Sequence, residues 1–293
     1  MILVPAAVPR TAPAFRRLID PQHLPSARGG LTVETLPPGV RVEHHPSRVG
    51  ESVTLVLSGG IRSAGRVLGP GEGLYHPPGS SCGLTALPGA PAAVLTVRPL
   101  AVPGDRPAQR LWPVPLAPPR PGARSRGGAH ESPAPGPYAP EPTAPGPPAP
   151  TVPAARDGDS GVGADADTGH PAAPIAGSTG MAVRWLATDE TVGARRLTVA
   201  ASVFCVGGSH DLHRHPHADE FFLVLSGGGT HLTDATEVPV RAGDLVFVPA
   251  GEWHGFRTGP AGPTAALYGY LGAPSLARAG YQVRPAAVPE ARR

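Results

Sequence analysis

His210, His213, His215 and His217 stand close together in the last third of the chain, Glu220 follows, and His231 and His254 come further on. Neutral imidazoles and a carboxylate are the ligand set of a divalent transition metal. On a strand, residues two apart point to one face, so His213 and His215 can grip one ion. Pro216 forces a turn, and Glu220 opens the next strand, from which its side chain can return to the same face. His254 follows a second turn, Pro249-Ala250-Gly251, that begins another strand. A surface run of histidines would bind metals adventitiously. Against that reading, the cluster sits between apolar strands and Glu220 adjoins Phe221 and Phe222. A carboxylate there is costly to desolvate unless a cation or donor compensates it.

The elements that must position these groups are short strands. Residues 197–206, 220–225, 244–248 and 265–270 are β-branched or aromatic runs bounded by Gly or Pro turns. Many short strands with regular turns predict a sandwich or barrel. Leu55-Val56-Leu57-Ser58-Gly59-Gly60 is repeated as Leu223-Val224-Leu225-Ser226-Gly227-Gly228. Downstream, the run from Gly71 through Pro77 to Gly79 is matched by the run from Gly243 through Pro249 to Gly251. The order and the near-constant offset imply one β fold present twice. Between the copies nearly every third or fourth residue is proline, which cannot bury a core or keep a hydrogen-bond ladder. The chain thus divides into a first barrel over 1–98, a Pro/Gly/Ala-rich disordered linker over 99–180 and a second barrel with its tail over 181–293.

Composition narrows the classes. Of 293 residues, 39 are glycine and 41 proline, without a collagen period. Lysine and asparagine are absent, which excludes a Schiff-base lysine enzyme, a Walker-type ATPase and an N-glycosylated protein. The net charge of +3 comes from scattered arginines, with no basic stripe for nucleic acid. Cys82 and Cys205 cannot form a disulfide framework, so the redox expectation is cytoplasmic. The apolar start is short and proline-broken, reading as neither signal peptide nor membrane span. No 20-residue segment carries the helical pattern of a helix-turn-helix, which weakens a transcriptional role.

The spacing itself resembles a known family. Gly207, His213, His215, Glu220 and Gly227 fit the first signature of the cupin superfamily without a gap, and Gly243, Pro249, Gly251 and His254 fit the second as far as its histidine. Where that signature continues with Asn, this chain has Thr258. The resemblance covers about residues 181–275 and implies a double-stranded β-helix, a jelly-roll-like barrel with a metal in its mouth. It implies His213, His215, Glu220 and His254 as the ligands. His217 is assigned to the rim as a catalytic proton-transfer group, and His210 and His231 to surface or turn positions. Superposing the repeats places His45, Ser47, Ser52 and Cys82 of the first copy at the ligand positions, so the chain resembles a bicupin whose first barrel has decayed. His44, His45, Glu51 and Cys82 remain as an alternative, zinc-like set.

Two open positions on a six-coordinate ion suit Fe2+ or Mn2+, with Ni2+ or Zn2+ as alternatives. By strand period, Phe222, Val224 and Phe256 share the inward face of Glu220 and His254, with Trp253, Tyr268 or Tyr270 near the mouth; such a lining suits a small organic molecule. Arg195, Arg196 and Arg257 are the cations available to an acidic substrate. The expectation is a metal-dependent enzyme on a small organic substrate, foremost a dioxygenase, with an isomerase or decarboxylase, or a non-catalytic ligand- or metal-sensing module, as alternatives. Neither nucleic acid nor membrane is an expected partner; a homodimer is.

Overall fold

The computed structural model describes residues 1–4, 14–24, 27–44, 50–80, 82–100, 112–114 and 175–284. The fold is all-β apart from two single-turn helices. A short β1 (Ile2–Val4) precedes the first copy, which comprises β2 (Ala14–Ile19), β3 (Gly29–Leu36), β4 (Arg41–His44), β5 (Ser52–Ser58), β6 (Ile61–Ser63), β7 (Arg66–Leu68), β8 (Gly73–His76), β9 (Cys82–Ala86) and β10 (Ala92–Pro99). An isolated β11 (Trp112–Val114) precedes the second copy. That copy contains β12 (Ser178–Ala187), α1 (Asp189–Val192), β13 (Leu197–Arg214), β14 (Asp219–Ser226), β15 (Gly228–Thr233), β16 (Glu237–Arg241) and β17 (Leu245–Val248). It ends with β18 (His254–Thr258), β19 (Thr264–Leu271), α2 (Leu276–Ala279) and β20 (Gln282–Val283).

Each copy has an inner and an outer sheet. In the first, β11-β8-β5-β10-β3-β2 form the inner sheet and β4-β9-β6-β7 the outer. In the second, the order β1-β17-β14-β19-β13 continues into β18-β15-β16, with β12 and β20 also paired to β13. The long β13 therefore serves both sheets. It turns the corner near Gly207, whose φ of 74° a side chain would oppose.

The inner sheets explain the unbroken apolar runs. One face of each turns into its own barrel. The other meets its counterpart in a shared core that includes Leu31, Val33, Leu55 and Leu95 from the first copy and Leu197, Leu223, Phe247 and Leu271 from the second. Strands covered on both faces lose the apolar–polar alternation of a half-exposed strand. Thus β14 is buried from Asp219 through Val224 and β17 throughout.

The copies also exchange edge strands. β1, which precedes the first copy, pairs with β17 of the second, Ile2 opposite Phe247. β11, which precedes the second copy, pairs with β8 of the first, Trp112 opposite Tyr75. The expected linker over 99–180 is corrected at three points. Pro99 belongs to β10, Trp112–Val114 is a strand, and β12 begins at Ser178. An edge strand tolerates Pro113, since a missing N–H there breaks no central ladder. Residues 101–111 and 115–174, the rest of that expectation, lie outside the described residues.

A reciprocal contact fixes the two inner sheets. Asp219, one residue before Glu220, accepts from the Arg28 backbone N–H at 2.6 Å. Glu51, one residue before Ser52, accepts from the Arg195 and Arg196 N–H groups at 3.0 and 2.7 Å. It also accepts from the Tyr75 hydroxyl at 2.6 Å. Each acid therefore binds the chain just ahead of the other copy's first long inner strand. Replacing Glu51 with Ala strands these donors in the interface and should cost about 2–5 kcal/mol. Glu51→Gln should cost less; urea unfolding of the full chain checks both.

Candidate metal centre

The second barrel brings the four expected ligands together. One ligand atom each from His213, His215, Glu220 and His254 lies within 4.8 Å of all the others, and all four residues are buried. The end of β13 supplies His213, the residue just past that strand is His215, the start of β14 supplies Glu220 and the start of β18 His254. Two backbone contacts hold these ends in place. The Gly251 N–H donates to the His215 carbonyl at 2.9 Å. The Ala250 N–H donates to Asp219 at 2.9 Å. The turn ahead of His254 is thereby tied to the residues carrying His215 and Glu220.

Each imidazole is oriented by a backbone carbonyl. His213 Nδ1 lies 2.8 Å from Asp211 O, His215 Nδ1 2.6 Å from Gly280 O, and His254 Nδ1 2.9 Å from Glu252 O. A carbonyl only accepts, so each Nδ1 carries its proton and each Nε2 is left to face the centre. Glu220 Oε2 lies 3.1 Å from His215 Nε2 and 3.3 Å from His254 Nε2. His215 Nε2 is buried and outside hydrogen-bonding geometry with any group. Converging nitrogen lone pairs beside a buried carboxylate are what a divalent ion satisfies, and the donor set fits one.

The electrostatics are those of a cation site. Burial alone would raise the Glu220 carboxyl, but His254 and His215 outweigh it and hold it well below the usual range. Burial works against a charge on His254, yet the Glu220 carboxylate prevails and its pKa is raised. Burial, reinforced by His254, holds His213 well below the ordinary value.

The cavity beside these ligands is lined by Met181, Phe204, Phe222, Phe256, Tyr268 and Tyr270, with His210 and His231. The free space beside them is small. Phe222 and Phe256 stand where the strand period puts them, and Val224 belongs to the same interior cluster. Trp253 instead lies on the surface side, under the Arg214 guanidinium at 4.7 Å.

Several histidines stand elsewhere than expected. His217 is exposed and does not line the cavity. Its N–H donates to Ala279 O at 3.0 Å and its carbonyl accepts from the Arg28 guanidinium. His210 and His231, assigned to the surface, are inside. His210 stacks on His213 at 3.9 Å between ring centres, and its Nε2 is 2.9 Å from the Tyr281 hydroxyl. Burial lowers its pKa to about 4. His231 lies parallel to His254, 6.1 Å away, and burial together with His254 lowers its pKa to about 3. A register shift between His210 and His213 breaks the two-residue period that would have placed His210. His231 was detectable only from its pairing opposite Phe256. The three arginines are elsewhere: Arg195 and Arg196 bind Glu51 through their backbones, and Arg257 pairs with Glu237 at 2.8 Å on the surface.

The first barrel has no such centre among the described residues. Ser52 and Cys82 occupy ligand positions; Cys82 Sγ lies 3.5 Å from His76 Nδ1, and His76 Nε2 is 3.1 Å from Thr54 Oγ1. Glu51 is committed to the interface, which removes it from the zinc-like set. His45, Ser47 and the side chain of His44 lie outside the described residues.

Comparison with known proteins agrees with this geometry. The cupin domain family matches residues 202–268. Dimethylsulfoniopropionate lyase DddW of Ruegeria pomeroyi is 31% identical over 104 residues, 34% of this chain and 68% of that protein. The oxalate-binding protein of Thermotoga maritima is 38% identical over 48 residues, 16% of this chain and 40% of that protein. Among solved structures, protein Ylba of E. coli aligns over 88% of this chain and 81% of its own, with 16% identity and a TM-score of 0.57. Bacillus subtilis oxalate decarboxylase, in a study of its Mn(II) centres, aligns over 92% and 74%, with 14% identity and a TM-score of 0.55. The chain belongs to the cupin superfamily. Among the described residues, no helix is long and apolar enough to cross a membrane.

One divalent ion per chain is expected by elemental analysis. His213→Ala or His254→Ala should lose it, and Cys82→Ser should keep it. Because Glu220 favours protonation of His254, protons compete with the ion there, and affinity should fall as pH drops. The expected change is on the order of ten-fold per pH unit for one displaced proton, read by chelator competition at pH 6 and 8.

Proposed function

We propose that this chain is a mononuclear metal enzyme that cleaves a small carboxylate non-oxidatively, as a lyase or decarboxylase. The observation that carries this reading is the convergence of His213, His215, Glu220 and His254 at one end of a narrow aromatic cavity. The names of the related proteins support the substrate class, since they concern dimethylsulfoniopropionate and oxalate. The Mn(II) of the decarboxylase favours Mn2+, with Fe2+ next.

A divalent ion at this site would act as a Lewis acid toward a carboxylate. The protein's part is to orient three imidazoles through backbone carbonyls, exclude water with Phe204, Phe222 and Phe256, and place a proton acceptor nearby. For the last role, His210 is the better-placed histidine. It lines the cavity, and the Tyr281 hydroxyl backs its Nε2.

The second reading is an iron-dependent dioxygenase, favoured by the apolar lining, which admits dioxygen. Metal-loaded protein offered dimethylsulfoniopropionate, oxalate and simple monocarboxylates, with product and oxygen followed together, separates the two. Turnover without oxygen consumption is the expected result; stoichiometric oxygen uptake would replace it with the oxidative reading. His210→Ala should keep the metal and lower turnover by about 10²-fold or more. His217→Ala should change neither.

A further inference from the structure

We propose that Tyr268 and His231 form a second polar subsite in the metal cavity, selecting a small monocarboxylate that bears a hydroxyl or carbonyl at its far end. This rests on the carboxylate reading above and narrows it. Tyr268 Oη and His231 Nδ1 are both buried without a hydrogen-bond partner. The two residues are 4% and 1% exposed, and both line the cavity that holds the ligand set. Buried polar atoms left unbonded are costly, and unbonded polar groups on residues that line one pocket mark what the pocket is shaped to receive.

Charge then limits the occupant. The lining includes no arginine, and Glu220 is its one carboxylate. A divalent ion with Glu220 carries one net positive charge, which a single substrate carboxylate neutralises. A second carboxylate would sit among Phe204, Phe222 and Phe256 with no cation to meet it, a burial that is strongly unfavourable. A hydroxyl or carbonyl in that place meets a phenol and an imidazole, which between them can donate and accept.

Three acids of nearly one size test this: propionate, 3-hydroxypropionate and malonate, titrated calorimetrically into Mn2+-loaded full-length protein. The hydroxy acid should bind about ten-fold or more tighter than propionate, and malonate weaker than either. In Tyr268→Phe that advantage should shrink towards unity while the propionate affinity stays put, and His231→Leu should act in the same direction. Malonate binding as well as the hydroxy acid would overturn the subsite, as would a Tyr268→Phe variant that weakens both monoacids equally. In either of those cases the carboxylate reading stands. If none of the three binds protein that retains its Mn2+, the carboxylate reading falls and the subsite with it.

Discussion

The contact between the two inner sheets is the constraint on which the rest of this structure depends. A sheet that is apolar on both faces cannot face water, so neither barrel's inner sheet is satisfied until the other covers it. The core that results draws on both copies, and the exchanged strands β1 and β11 extend each sheet with chain from the opposite side of the repeat. Glu51 and Asp219 set the alignment, each accepting backbone N–H groups from the other copy. Asp219 immediately precedes Glu220 and also holds the turn ahead of His254. The first barrel therefore reaches the foundations of the metal centre without contributing a ligand.

This arrangement separates what the first copy keeps from what it has lost. Its ligand positions hold Ser52 and Cys82, and its interior has a histidine flanked by a thiol and a hydroxyl. The acid one residue before the lost carboxylate is still in use, bonded to two backbone amides and a phenol. Ligand side chains can disappear from a barrel without disturbing its packing. The acid beneath them cannot, because it belongs to the joint between the copies.

The same distinction governs how much could be read from sequence. His213, His215, Glu220 and His254 were legible because their placement follows from local rules: alternation along a strand, a proline turn and a glycine turn. The duplication was legible from Leu55-Val56-Leu57 and its echo at Leu223-Val224-Leu225. His210 was not, since a bulge between it and His213 reverses which face it takes. His217 was misjudged because the chain after Pro216 turns outward, towards Ala279 and Arg28, before re-entering the barrel. Strands as short as β1 and β11 have no local signature. Ile2 and Trp112 are strand residues only by virtue of Phe247 and Tyr75, far along the chain.

The exchange of edge strands has a consequence for synthesis on the ribosome. β1 is translated before every other described strand, yet its partner β17 emerges only after most of those strands have been made. Until then the nascent polypeptide carries an unpaired apolar edge and an uncovered sheet face, the surfaces that invite association with other chains. Assembly is in this sense postponed until the second copy has been made.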